Sequence, residues 1–303
     1  MRFCDLTKDG SVVAMNAEAA VDLPGKEVAV EQLLRSDLEP ILATHHGGEM
    51  FRAVLERITT PEELVRVLGR YIYFNSGFGG GVANLAGEVA VRQDLFRDPD
   101  ESVWVLADRS VEVASDIFMA AVDEFDDRIA PYLDTHRTLA QATLKGAASH
   151  FGFDNASLDR ITLPNAELNE AVRNVRDGYG VSQIMSDAAL FKGMGFHVGS
   201  EVLADQEFNV LDQTLRSSFP ALVQSLEEAR IEIGANSYPA YFWIRVHTSV
   251  EADHFTAAVK GVNTSLRYHA HSDTARNAKG WVMDGFRDFA RVQGQFFTSL
   301  LAE

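Results

Sequence analysis

The stretch YPAYFWIRVHTSVEADHFTAAVKGV, residues 238–262, decides how the rest of the chain is read. At about 100° per residue, offsets of four and seven bring His247, Glu251 and His254 within roughly 60° of one another on one helical face. Asp253 falls on the opposite side. Ala240, Ile244 and Val250, then Phe255 and Ala258, make the surrounding sequence apolar, which is not how a solvated face is built. Two imidazoles and a carboxylate on one buried stripe form the donor set that Fe(II), Mn(II) or Zn(II) prefers. The simpler alternative is an i,i+4 surface pair of His247 and Glu251 with His254 incidental. The third residue, and the Tyr-Phe-Trp-Ile run upstream, favour metal.

Working outward, the chain reads as all-α. Thr60-Pro61-Glu62-Glu63 is a helix start, with an N-cap, a first-position proline and first-turn acids. The helix it opens carries Leu64, Val67, Leu68 and Tyr71 and is interrupted at Gly77–Gly81; another runs to about Phe96. Residues 1–30 read as a loosely structured lead-in, and a helical pattern over Glu31–Arg57 breaks at His45–Gly48. Helices are expected over Val103–Asp126, from Pro131 through His136 to Phe151, and from Phe219 to Ile231. Asn155–Asn165 is expected as a polar connection. Asn169–Leu215 is expected to break near Gly178–Gly180 and bend at Gly193–Gly195. Gly234–Pro239 is expected as a turn and Ala278–Leu301 as a closing helix. Strand-like alternation is nearly absent. The expectation is one helical domain, with residues 1–58 as an N-terminal extension and 59–303 as core.

The 303 residues suffice for a large core, and 46% hydrophobic with 23% charged residues is ordinary for a globular chain. A net charge of −17 disfavours nucleic-acid and anionic-membrane partners, because phosphates would be repelled. A single cysteine, Cys4, suits a reducing, cytoplasmic setting. No signal peptide or membrane span is read.

One helix leaves coordination positions to its neighbours, and the candidates are carboxylates and histidines on otherwise apolar helical faces. Glu124 follows Ile117, Ala120 and Ala121; Asp123 shares a solvated face instead. His136 comes twelve residues later at a helix start, and alone would pass for a surface histidine. Glu207 lies among Leu203, Ala204, Val210 and Leu211, and Glu201 in a more mixed setting with His197 four residues before it. Spacing does not choose between these two. His269 and His271 point to different faces and read as surface residues, and the Gly77–Gly81 run lacks the ending of a phosphate loop.

Together these residues bring a family into view. Ala121-Val122-Asp123-Glu124-Phe125-Asp126-Asp127…His136, a mid-chain Glu, and Tyr241-Phe242…His247-x-x-x-Glu251-x-x-His254 resemble the haem-oxygenase-like dimetal oxidases. The resemblance covers roughly Tyr71–Ser265 through scattered residues. It implies a haem-oxygenase-like seven-helix bundle, here with extra N-terminal helices, holding two Fe(II) per chain with O2 as co-substrate. Carried over residue by residue, Glu124, His136 and His247 would hold one iron. Glu251, His254 and either Glu201 or Glu207 would hold the other. Position 251 is usually Asp in that family, and its mid-chain Glu usually lies nearer the final motif. Glu88 is the candidate for an extra carboxylate.

The resemblance implies an oxidoreductase that activates C–H bonds of a small aliphatic substrate, chiefly a free amino acid, by desaturation, cyclisation or oxygenation. Specialised metabolism is the implied setting, with a branch similar to azetidine-forming oxidases of nucleoside-antibiotic biosynthesis. An external electron donor and a homodimer are compatible with it. Arg245 or Arg70 is the candidate cation for an amino-acid carboxylate. The competing classes are a metal-free thiaminase-like hydrolase or cofactorless oxidase of the same fold, and a non-catalytic helical binding protein.

Overall fold

The computed structural model describes residues 31–125, 134–270 and 272–302, without side chains at 123, 204–205, 249–253 and 272–276. The expected lead-in, residues 1–30, and Pro131 lie outside these. The described part is all-α: thirteen helices and a single two-stranded hairpin, which form one compact unit. None of the described helices is long and apolar enough to cross a membrane.

α1 (Arg35–Leu42) and α2 (Gly47–Glu56) flank the expected break. Phe51 of α2 stacks on Tyr71 and Phe297, with ring centroids 5.2 and 4.9 Å apart. This fastens the N-terminal helices to the core. α3 (Pro61–Asn75) begins with the expected cap: Thr60 Oγ1 accepts from Glu63 N at 3.2 Å, and Glu63 accepts from Thr60 N at 3.1 Å. α4 (Phe78–Ala90) starts within the glycine cluster, which therefore breaks the chain only around Ser76–Gly77. Gly81 gives room to the Tyr179 ring.

The helix expected over Val103–Asp126 is two: α5 (Trp104–Ala107) and α6 (Ser110–Phe125). Asp108 makes the break, its carboxylate accepting from Ser110 N at 2.9 Å and Ser110 Oγ at 2.6 Å. α7 (His136–His150) follows. The expected polar connection after it holds α8 (Asn155–Thr162), capped when Asp154 accepts from Ser157 N at 2.8 Å.

α9 (Ala166–Gly178) ends where expected, with Gly180 at φ +68°. α10 (Asp187–Ser218) then runs as one 32-residue helix through Gly193 and Gly195. These glycines serve contact: a Cβ on Gly195 would strike the Val282 carbonyl of α13, and one on Gly285 the Lys192 carbonyl. α11 (Pro220–Glu228) stops before β1 (Arg230–Ile233) and β2 (Asn236–Pro239), an antiparallel pair pairing Ile233 with Asn236 around Gly234-Ala235. Four residues per strand are too short for alternation to stand out: the first strand begins within the stretch expected as helix to Ile231, and the second lies in the expected turn. α12 (Phe242–Tyr268) and α13 (Ser272–Ser299) close the chain. His269 is not a free surface group: its ring packs edge-on against Phe191 at 5.1 Å. His271 lies outside the described residues.

Gly195→Ala forces two helix backbones apart, and a loss of about 1–3 kcal/mol is expected from overpacking of this kind. Urea unfolding measures it; an unchanged midpoint would mean that the crossing has slack.

Candidate metal centre

Glu124 stands one residue from the end of α6 and His136 opens α7. Thr135 caps α7, its Oγ1 accepting from Thr138 N at 3.0 Å, and so fixes where His136 emerges. His247 and His254 project from α12, two turns apart. One donor atom each from Glu124, His136 and His247 lie mutually within 4.8 Å, a group able to hold a metal ion. Both histidines are buried, while the Glu124 side chain stays 29% exposed.

The His247 ring is fixed on several sides. Its Nδ1–H donates to the Trp243 carbonyl at 2.7 Å, Phe208 stacks on its face at 4.2 Å, and the His136 ring meets it edge-on at 4.5 Å. With Nδ1 committed to a carbonyl, Nε2 carries the lone pair. Burial, then the neighbouring His136, push its pKa down to about 3, so it is neutral at physiological pH. Burial pulls the Glu124 carboxyl upward, but the contact with His136 Nδ1 at 3.1 Å outweighs it. Its pKa falls below the ordinary value and it is ionised. Neutral imidazole and ionised carboxylate are the protonation states that a metal takes.

His254 Nδ1 lies 3.5 Å from Glu201 Oε2, and the other Glu201 oxygen lies 3.2 Å from His197 Nδ1. Glu207 is engaged differently. One oxygen accepts from Tyr71 OH at 2.7 Å and the other from Gln293 Nε2, whose own Oε1 meets the His45 ring. Burial drives the Glu207 pKa up to about 7 against both hydrogen bonds. Of the two mid-chain acids, the geometry thus pairs Glu201 with His254 and ties Glu207 to donors. The Glu251 side chain lies outside the described residues. Glu88, half-buried on α4, lines neither cavity described next.

An inner cavity of about 40 Å³ is bordered by Glu124, Glu201, Glu207, His247 and His254. No Lys or Arg lines it among the described residues. An outer cavity of about 200 Å³ has Glu124, His136 and His247 on its floor. Glu124 borders both, and Gly79 of α4 lets the backbone lie against it, since a Cβ there would sit 3.0 Å from Glu124 Cβ. Buried anions gathered without a cation are costly, so the donor chemistry fits a divalent ion.

Neither cation expected to meet a substrate carboxylate is available. Arg70 is buried and donates to the carbonyls of Leu300 at 2.8 Å and Ala302 at 2.6 Å, closing the end of α13. Arg245 lies over the Phe242 ring at 5.6 Å and borders neither cavity. Sequence reasoning missed Tyr71, Gln293, Tyr179 and Ser200. Tyr179 OH and Ser200 Oγ are 2.8 Å apart beside His197 and Glu201. Neutral polar residues carry no periodic signal that could have revealed them. Compared with known families and curated proteins, the chain matches no family model and no curated relative.

Glu207 also sets a pH dependence. Between its ordinary value of 4.5 and about 7, the folded protein keeps a proton that the unfolded chain has released. Stability of the metal-free protein is therefore expected to fall as pH rises through that window, by at most about 1.4 kcal/mol per unit from this group. Glu207→Gln should flatten that portion of the profile in urea unfolding from about pH 5 to about pH 8. An unaltered slope in the variant would mean that Glu207 titrates normally.

Proposed function

We propose that the chain is a non-haem diiron, O2-dependent oxidase or oxygenase of the haem-oxygenase-like dimetal type, acting on a small aliphatic substrate, chiefly a free amino acid. The supporting observation is the inner cavity: three carboxylates and two imidazoles around a void of about 40 Å³ with no Lys or Arg on its wall among the described residues. A helical scaffold with surface histidines has no use for such an arrangement. A metal-free catalyst of similar fold would have to gather three acids with no Lys or Arg on the described wall beside them.

In this reading Glu124, His136 and His247 hold one Fe(II). His254 and Glu201, with Glu251 from the same helix as His254, hold the second. Bound Fe(II) ions would supply O2 reduction and C–H activation. The chain's own residues do the rest. The Trp243 carbonyl and the Phe208 ring hold the His247 imidazole in one orientation and tautomer. His197 stands against the far oxygen of Glu201. Ile72, Ala140 and Trp243 give the outer cavity an apolar wall that excludes water from the floor and receives an aliphatic chain. The Glu207 carboxyl, poised near pH 7, can hold or release a proton at the inner cavity.

Anaerobic Fe(II) loading followed by metal analysis tests the reading. Two irons per chain are expected in the wild type. His247→Ala and His254→Ala should each lose iron and turnover while far-ultraviolet dichroism stays helical. Iron stoichiometry unchanged in both variants would end the proposal. Glu201→Gln is expected to lose more iron than Glu207→Gln; the reverse order would exchange their roles.

A further inference from the structure

We infer that the rim of the outer cavity, at the first turn of α7, is a carboxylate-binding subsite in which Arg137 anchors a small aliphatic carboxylate. The inference rests on the outer cavity being the substrate chamber of the proposed centre, and it names the class of substrate that chamber takes.

The cavity has chemically distinct parts. Glu124, His136 and His247 form its floor, Ile72, Ala140 and Trp243 its apolar wall, and Ser76, Thr135 and Arg137 with the exposed Phe125 its rim. At about 200 Å³ it is smaller than drug-sized sites, so one small metabolite fills it. A ligand suited to it has a short apolar body and one polar end.

Arg137 decides the sign of that end. It is the sole Lys or Arg lining either cavity among the described residues. Its exposed guanidinium makes no ion pair or hydrogen bond with any of them. This contrasts with Arg92, Arg109 and Arg216, whose guanidinium groups lie 3.0 Å or less from Asp94, Asp98 and Asp212. In a chain with 44 acidic and 27 basic residues, Arg137 is the one cationic side chain that the described lining of this cavity offers. Asp134, three residues before it, is committed to Tyr238 OH and Thr135 N.

A guanidinium matches a carboxylate through two parallel N–H···O bonds, which an ammonium cannot reproduce. The first turn of α7 also presents the positive end of its helix to the same rim. Arg137 adjoins His136 in sequence, and successive helical side chains diverge by about 100°, so one reaches the floor while the other stays at the rim. A carboxylate held by Arg137 therefore directs its aliphatic carbons down the apolar wall toward the floor.

Equilibrium binding of 4-methylpentanoate, L-leucine, L-leucinamide and isopentylamine to metal-free and to Zn(II)-loaded protein tests this, with metal content measured in parallel. The two carboxylates should bind, and the amide and the amine should bind at least about tenfold more weakly. Arg137→Met should weaken the carboxylates at least about tenfold, and Arg137→Lys by less, with helicity and metal content as in the wild type. The inference is overturned if Arg137→Met binds the carboxylates like the wild type, if amide or amine binds equally well, or if neither carboxylate binds. A wild type that takes up no divalent ion, yet loses carboxylate binding on Arg137→Met, would refute the diiron proposal and leave this subsite standing.

Discussion

Glu124, Glu201 and Glu207 converge with His247 and His254 on a void of about 40 Å³. Carboxylates drawn together in a low-dielectric interior repel one another and lose their hydration, so the surrounding helices must be held hard enough to keep them there. Each acid is restrained by a different device. Glu124 is set against His136, Glu201 lies between His197 and His254, and Glu207 accepts hydrogen bonds from Tyr71 and Gln293. The three solutions come from α6, α10 and α12 together with their neighbours α3, α7 and α13.

That restraint depends on backbones in close contact. α10 carries both mid-chain acids and crosses α13 through the reciprocal Gly195 and Gly285 contacts, where any side chain would collide with a carbonyl. Gly261 of α12 lies similarly against α6, where a Cβ would come within 3.3 Å of Ile117. Aromatic rings fill the remaining space: Phe74 and Phe296 stack at 3.8 Å, and Phe208 bridges Trp243 and His247. The arrangement of the acids is thus a property of the helix crossings more than of any single hydrogen bond.

Much of this was legible from residue order, for identifiable reasons. Long amphipathic segments announce themselves by period, and the Thr60–Glu63 cap is a local interaction that needs no tertiary information. His247 and His254 share a face by arithmetic, and Glu124 stood out because its neighbours are apolar. Local signals of shorter range were overlooked: the Asp108–Ser110 cap that splits α5 from α6, and the Asp154 cap that makes a helix of the expected connection. The preference for Glu201 over Glu207 beside His254 was not legible, because both are buried acids on one helix. Only the partners supplied by α3, α12 and α13 separate them. Arg70 looked like a candidate anchor for a similar reason. Nothing near it in sequence reveals that the carbonyls at the end of α13 occupy it.

Glu124, with Asn75 and His247, forms the partition between two chambers, since each borders both. Whatever settles in the outer chamber meets the same group that faces the inner one. Any preference of Glu124 for one rotamer with the inner chamber filled then alters the affinity of the outer, and reciprocity demands an equal effect in return. A shared wall of this kind makes the order of arrival matter: the first guest sets the shape of the room that receives the second.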